Sequence, residues 1–438
     1  MGRRYLLIGT GAAAMAAAET IRDLDTEAAI VAIAGEASGY YSRPGLAYYL
    51  AKEVPEKGLF PFSAADIARL DVSVVHASAA GIDRARHAVV LEDGTELPYD
   101  RLLIATGSSA IPLRVPGAEL DGVVKLDDMD DARDLIRRSR RAKSAVVVGG
   151  GVTALEIVEG LRERGVHVHY LMRKDRYWSN VLSEAESHIV ERGLQSRGVE
   201  IHYFTELAAI VAREGSVSAI QTGDGTLIPC DMVAVAIGVL PRKELAEKAG
   251  ITCGRGVLVD QFLCSSDPDI FAAGDVAEVC EDSTDRRTVE VLWSSAVAKG
   301  RVAAHNMVEA SSRSYGDAAP LNVTRLAGSK ITIIGTVGNG ADSDLEGIAR
   351  GDSETWRELG DAVTVESQDG VAHVRLALRT GTIAGAVVMG DQTLSFPLQE
   401  LISGRADVRD VGAQLQVPGA PVADIVHAFW REWVTQRA

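Results

Sequence analysis

Two segments of this chain share one grammar, and few folds accept it. The first runs Arg4-Tyr-Leu-Leu-Ile-Gly-Thr-Gly-Ala-Ala-Ala14, continues as a helical stretch to Asp23, and is followed by an apolar run, Ala29 to Ala34, ending at Gly35-Glu36. The second runs Ala145-Val-Val-Val-Gly-Gly-Gly-Val-Thr-Ala154, then a helix to about Arg164, then Val166 to Met172. Each reads strand, glycine turn, helix, strand, the unit that builds a parallel sheet and cradles a dinucleotide. Gly9 and Gly149 let the chain turn sharply. Gly11 and Gly151 lack a Cβ, so a pyrophosphate can approach the backbone, and Ala14 and Ala154 let the helix pack close to its strand. The helix N-terminus then turns free N–H groups and a positive dipole end toward the phosphates. The candidate binding residues are therefore Gly9, Thr10, Gly11, Ala12 and Ala13 in one turn, and Gly149, Gly151, Val152 and Thr153 in the other.

The remaining landmarks are strand ends. Asp100-Arg-Leu-Leu-Ile-Ala-Thr-Gly-Ser-Ser109 precedes a proline-rich linker, Ile111 to Gly117. Asp231-Met-Val-Ala-Val-Ala-Ile-Gly238 and Asp269-Ile-Phe-Ala-Ala-Gly-Asp-Val276 follow the second repeat. Each is an apolar strand stopping at Gly or Gly-Asp, where ligands sit in open α/β sheets. This adds Ala105, Thr106, Gly107, Gly238, Gly274 and Asp275 to the candidates. From about Leu321 the pattern changes to alternating strands, Lys330 to Val337, Val371 to Leu378 and Ile383 to Met389. A chain of 438 residues suits two or three domains. The predicted fold is α/β, with two Rossmann-type domains and a C-terminal α+β domain. The first domain, 1–111 plus 256–319, is split by the second, 112–255, and the third spans 320–438. Near the end, Val422, Ile425, Val426, Phe429, Trp430, Trp433 and Val434 form one apolar helical face. That face packs on its own domain or docks a second subunit.

Charge and cysteine usage exclude other classes. The net charge of -16 disfavours a nucleic-acid backbone as partner. No apolar run spans a bilayer, and the one after Arg4 is too short for a signal peptide, so a cytoplasmic location is expected. Cys230, Cys253, Cys264 and Cys280 form no C-x-x-C pair and no metal-ligand spacing, so scattered reduced thiols and no metal site are expected. Cys280 is expected on a helix or loop. The basic run Arg137, Arg138, Arg140, Arg141 and Lys143 reads as the solvated end of a helix and as the strong cationic patch of an acidic chain.

Taken together, Gly9 to Ala14, Ala105-Thr-Gly107, Gly149 to Glu156, Ala236-Ile-Gly238 and Ala273-Gly-Asp275 make the chain similar to the FAD- and NAD(P)-dependent pyridine nucleotide oxidoreductases. The resemblance implies FAD on the first repeat, NAD(P)H on the second, and Gly274-Asp275 holding the FAD ribityl and pyrophosphate. It also implies a dimer interface, or contact with a larger complex, through the third domain. Glu36, about twenty residues past the first turn, is placed to bind ribose hydroxyls, or is a solvated loop acid. In the second repeat the matching place falls on Met172, followed by Arg173 and Lys174. Arg173 is the nucleotide-binding candidate there, and a 2′-phosphate is not excluded.

The segment Tyr41-Ser-Arg-Pro-Gly-Leu-Ala-Tyr-Tyr-Leu50 separates subfamilies. Coenzyme A disulfide reductases and related oxidases carry a redox cysteine before Gly-Leu, where this chain has Pro44. Arg43-Pro44 and Glu290-x-x-Trp293 instead resemble the ferredoxin, rubredoxin and nitrite reductase branch. There the Arg and Pro touch the flavin and the tryptophan lies by the isoalloxazine, although tryptophan is otherwise a core residue. The lysine those reductases often carry four residues after the proline is Tyr48 here, while its usual partner, Glu156, remains. Glu156, Tyr48 and Trp293 are thus the candidate catalytic residues. The implied activity is electron transfer between NAD(P)H and a one-electron iron–sulfur or ferredoxin-like partner, by a free reductase or the flavin subunit of a complex. The alternatives are an oxidase that reduces oxygen directly and a nucleotide-holding scaffold.

Overall fold

The computed structural model describes residues 2–281, 286–316, 319–338, 348, 350–357, 362–369 and 372–437. Its first sheet has five parallel strands in the order Val72–His76, Ala29–Ala34, Arg4–Ile8, Arg101–Ile104, Ile270–Ala272. Leu7, Leu102, Leu103, Ile104 and Ile270 are fully buried, as in a parallel sheet covered on both faces. The helix Ala12–Leu24 packs along Trp293–Val308. Alanines on both helices allow the approach, and a Cβ on Gly300 would lie 2.2 Å from the Ala13 carbonyl oxygen. The three-stranded sheet Ala79–Asp83, Ala88–Leu91, Glu96–Pro98 feeds Ile82, Val89 and Leu91 into the same core.

A second parallel sheet has the order Val199–His202, His167–Leu171, Ser144–Val148, Met232–Val235, Val123–Val124. In both sheets the repeat's first strand is central and its glycine turn leads into a helix, Ala12–Leu24 or Val152–Glu163. The antiparallel ribbon of Ser108–Ala110 with Val239–Pro241 joins the two bodies.

The third sheet is antiparallel, in the order Leu321–Leu326, Ser329–Gly335, Thr382–Met389, Ala372–Arg379, Val363–Asp369. Val371, where the sequence predicts a strand start, lies outside the described residues. The final helix, Val422–Arg437, packs most of its apolar face on its own domain, leaving Val434 exposed. Val422 and Val426 are buried, Ile425, Phe429, Trp430 and Trp433 pack on the same core, and Trp430 Nε1 donates to Glu400 at 2.7 Å.

Two expectations change. Cys280 is on neither a helix nor a loop: it lies on the strand Ala277–Glu281, which pairs with Val257–Val259 and Arg286–Val289. The basic run does end a helix, Met129–Ser139, but it is less cationic than expected. Arg137 is paired with Asp134, and Arg138 lies 2.9 Å from Asp134 and 2.7 Å from Asp121. Among the described residues no helix is long and apolar enough to cross a membrane.

Candidate functional site

At the end of the first sheet the glycine turn opens a cleft. Gly9 takes φ +119°, and a Cβ there would lie 2.3 Å from the Ala105 carbonyl oxygen. Gly11 differs: its Cβ would meet no protein atom within 4 Å. The turn is therefore built by Gly9 and kept open by Gly11, with the helix starting at Ala12 without a side-chain cap. The cleft wall joins Gly11, Ala12 and Ala13 to Ala105, Thr106 and Gly107, and to Gly274 and Asp275. Gly274 adopts φ +82°, and Asp275 accepts from Ser108 Oγ at 2.7 Å.

Other parts of the chain close this cleft. Arg43 and Pro44 come from the segment leading into the helix Gly45–Leu50, Tyr48 from that helix, and Val152, Thr153 and Glu156 from the helix Val152–Glu163. Trp293, first residue of its helix, is 50% exposed, so it is a wall residue and not a core one. Asn322 and Thr324 of the third sheet, with Arg350, complete the wall. Sequence reasoning named most of these residues, and it also named Glu36, Gly9 and Thr10, which are not on the cleft wall. The Glu36 carboxylate is ion-paired with Arg43 and accepts from the Tyr41 hydroxyl at 2.8 Å.

Burial, reinforced by the charge of Glu159 and opposed by Arg350, pushes the Glu156 carboxyl up to about 8. Burial, with Glu156 next in importance, also raises the Tyr48 hydroxyl. Beside them lies a cluster that no motif announced. Burial would raise the Asp127 carboxyl, but Arg350, the Ala110 amide at 3.2 Å, Lys125 at 3.6 Å and Arg242 at 3.7 Å outweigh it and hold it below its usual range. The Asp127 carbonyl accepts from Arg43 and, at 3.1 Å, from Arg350. Three arginines distant in sequence are thereby held at the cleft.

The second glycine turn opens a second cleft. Gly149 takes φ +144°, and its Cβ would lie 2.1 Å from the Ala236 carbonyl oxygen, whereas a Cβ on Gly150 would meet nothing within 4 Å. The wall contains Gly149, Gly151 and Gly238, and beyond the strand His167–Leu171 it continues through Met172, Arg173, Lys174 and Arg176. Arg114 and Glu206 also line it. Met172 is buried, so the place for a ribose-binding acid holds an apolar side chain flanked by cations. Of the cations on this wall, only Arg173 and Lys174 were legible beforehand; Arg114 and Arg176 arrive from loops without a motif.

The sequence matches the family described as pyridine nucleotide-disulphide oxidoreductase over residues 3–300. It is 31% identical over 424 residues to the biphenyl dioxygenase system ferredoxin–NAD(+) reductase component of Paraburkholderia xenovorans, covering 96% of this chain and 98% of that protein. It is 33% identical over 275 residues to a rubredoxin–NAD(+) reductase of Pseudomonas putida, covering 62% and 71%. The fold matches that of a ferredoxin reductase from Rhodopseudomonas palustris with a TM-score of 0.82 at 24% identity, over 92% of this chain and 95% of that one.

Proposed function

Because the chain belongs to the pyridine nucleotide-disulphide oxidoreductase family, whose members use FAD and NAD(P)H, we propose that it carries electrons between NAD(P)H and an iron–sulfur protein. The observation that carries this reading is the cleft itself: the first glycine turn, Arg43-Pro44 and half-exposed Trp293 share one wall with no cysteine among them. FAD fits there, because Gly11 leaves its approach to the backbone open. The body 1–111 plus 256–319 would hold FAD through Gly11, Ala12, Ala13, Gly274 and Asp275. The body 112–255 would hold the nucleotide through Gly149, Gly151, Arg173 and Gly238. Bound FAD supplies the exchange between hydride pairs and single electrons.

The chain's own residues place and tune. The N–H groups at Ala12 and Ala13, at the start of the helix, would meet phosphate with the positive end of the helix dipole. Arg43 is fixed by Glu36 and the Asp127 carbonyl, so it presents a positive charge at the cleft without freedom to swing away. Glu156 keeps its proton at neutral pH and adds no negative charge. Trp293 and Pro44 narrow access for water. The third body, 320–438, would form the contact with a second copy or a complex, and the reaction would take place in the cytoplasm.

Steady-state NADH and NADPH oxidation with no added acceptor, with a one-electron dye and with an oxidised ferredoxin tests the proposal. Oxidation should be slow alone and accelerate at least about tenfold with either acceptor. Equal rates with oxygen alone would make the protein an oxidase, and no oxidation under any condition would make it a nucleotide-holding scaffold.

A further inference from the structure

The outer edge of the second sheet holds a side-chain cluster that neither cleft uses. His167 and His169 stand on the strand His167–Leu171, and Glu200 and His202 on the edge strand Val199–His202. The register sets His169 opposite Glu200. Since side chains alternate along a strand, all four project from one face, while Val168 and Tyr170 are buried on the other. His167 Nε2 lies 3.0 Å from Glu200 Oε1, and His169 Nδ1 lies 3.2 Å from Glu200 Oε2. His169 Nδ1 is also 3.2 Å from His202 Nε2. The ligand atoms of His167, His169 and Glu200 all fall within 4.8 Å of one another, the one such group among the described residues.

We propose that His167, His169 and Glu200, with His202 beside His169, bind a divalent transition-metal ion of the zinc class. Two features separate this from ordinary histidine–carboxylate pairing. One proton on His169 Nδ1 cannot satisfy both the carboxylate and the facing His202 nitrogen, whereas a cation placed among them is attracted by all of their lone pairs. Tetrahedral bonds of about 2.0–2.1 Å to such atoms set neighbouring ligands about 3.3 Å apart, close to the 3.0 and 3.2 Å that separate each histidine of the triad from Glu200. Imidazole nitrogens with one carboxylate suit zinc, nickel or copper, whereas magnesium and calcium take oxygen. The expectation of no metal site came from cysteine spacing, and these ligands sit on two strands some thirty residues apart, a pairing that only the sheet register creates.

The position has a consequence for the nucleotide cleft. The His202 carbonyl accepts from the Met172 amide at 2.9 Å, and Met172 leads into Arg173 and Lys174 on that cleft's wall. A bound ion staples the two strands at this point. The inference rests on the sheet edge alone and stands or falls independently of the electron-transfer reading.

The test uses the full FAD-loaded chain, stripped with chelator and titrated with Zn2+ by equilibrium dialysis and calorimetry. One ion per chain should bind, the melting temperature should rise with added Zn2+, and zinc-edge X-ray absorption should show nitrogen and oxygen neighbours only. H169A/H202A should weaken binding by at least about tenfold and abolish the thermal shift. The exposed-site variant Glu200→Gln, which keeps the side chain's shape, should weaken it too, with flavin content and metal-free melting temperature confirming both folds. Failure to bind one ion per chain, unchanged affinity in the variants, or sulfur neighbours marking cysteine binding would each overturn the proposal.

Discussion

At the scale of the residue, two glycines in one turn separate folding from binding. Gly9→Val faces both a positive φ and the Ala105 carbonyl, so it should fail to fold. Gly11→Val meets open space, so the polypeptide should fold and lose only the room a pyrophosphate needs. Purified G11V should bind FAD at least about tenfold more weakly than the parent, read from flavin absorbance per chain, while its melting temperature matches that of the FAD-stripped parent. A fully yellow G11V would remove FAD from this turn. Glu156 makes a prediction with a sign. Its carboxyl ordinarily titrates at 4.5 and is raised to about 8 in the fold. Between those values the unfolded chain holds fewer protons than the folded one, so the group lowers stability as pH rises. The loss grows by at most about 1.4 kcal/mol per pH unit and levels off above the folded value; solvent in the cleft reduces the total to about 1–3 kcal/mol. Glu156→Gln should therefore leave the melting temperature nearly unchanged at pH about 4 and raise it at pH about 9. A stability difference that does not vary with pH would show that Glu156 does not titrate this way.

At the scale of the element, the proposed nucleotide choice rests on the end of the strand His167–Leu171, which opens on the second cleft. NAD-specific sites place an acid at this point to accept from both ribose hydroxyls and repel a 2′-phosphate. Here buried Met172 takes that place, and Arg173, Lys174, Arg176 and Arg114 surround the cleft. NADPH should not be strongly rejected: kcat/KM for NADH should exceed that for NADPH by less than about a thousandfold, or about 4 kcal/mol. Arg173→Ala should lower kcat/KM for NADPH roughly fivefold more than for NADH, a difference of about 1 kcal/mol. Equal losses with both nucleotides would mean that Arg173 does not meet the 2′-phosphate.

At the scale of the whole molecule, the cysteines stand away from the first cleft. Pro44 stands on the wall of the first cleft, and none of the four cysteines lines it. Burial pushes the Cys230 thiol up to about 12 and the Cys264 thiol up to about 11, and it raises Cys253 as well. Such thiols stay protonated and are poor nucleophiles. A chain with all four cysteines changed to serine should keep NAD(P)H-driven reduction of a one-electron dye, apart from losses due to folding. Loss of that activity at unchanged flavin content and melting temperature would place a cysteine in the chemistry. The bodies are also locked to one another. Buried Glu186 of the helix Glu184–Ser196 lies 3.0 Å from Arg375 Nε and 3.3 Å from His373 Nε2 of the third sheet. Burial would raise the Glu186 carboxyl, but these two partners hold it below its usual range.

By itself the sequence determined both dinucleotide-binding repeats, the strand ends that face them and the absence of a cysteine before Gly45-Leu46. Those features are local: a phosphate turn needs its glycines within a few residues, and a buried strand shows as an unbroken apolar run. Only the tertiary structure decided the rest. Arg43, Arg242 and Arg350 meet at Asp127 from positions spread over much of the chain, and Asn322 and Thr324 reach the cleft from the third sheet. Glu36 reads as a ribose ligand by spacing, yet Arg43 and Tyr41 engage its carboxylate across a turn. Glu156 reads as an ordinary acid until burial beside Glu159 raises its carboxyl. The histidines at the outer sheet edge alternate along their strands, but parallel register alone sets their partners across the sheet. Contacts of this kind leave no periodicity in the sequence, since their geometry comes from packing elements that are distant along the chain.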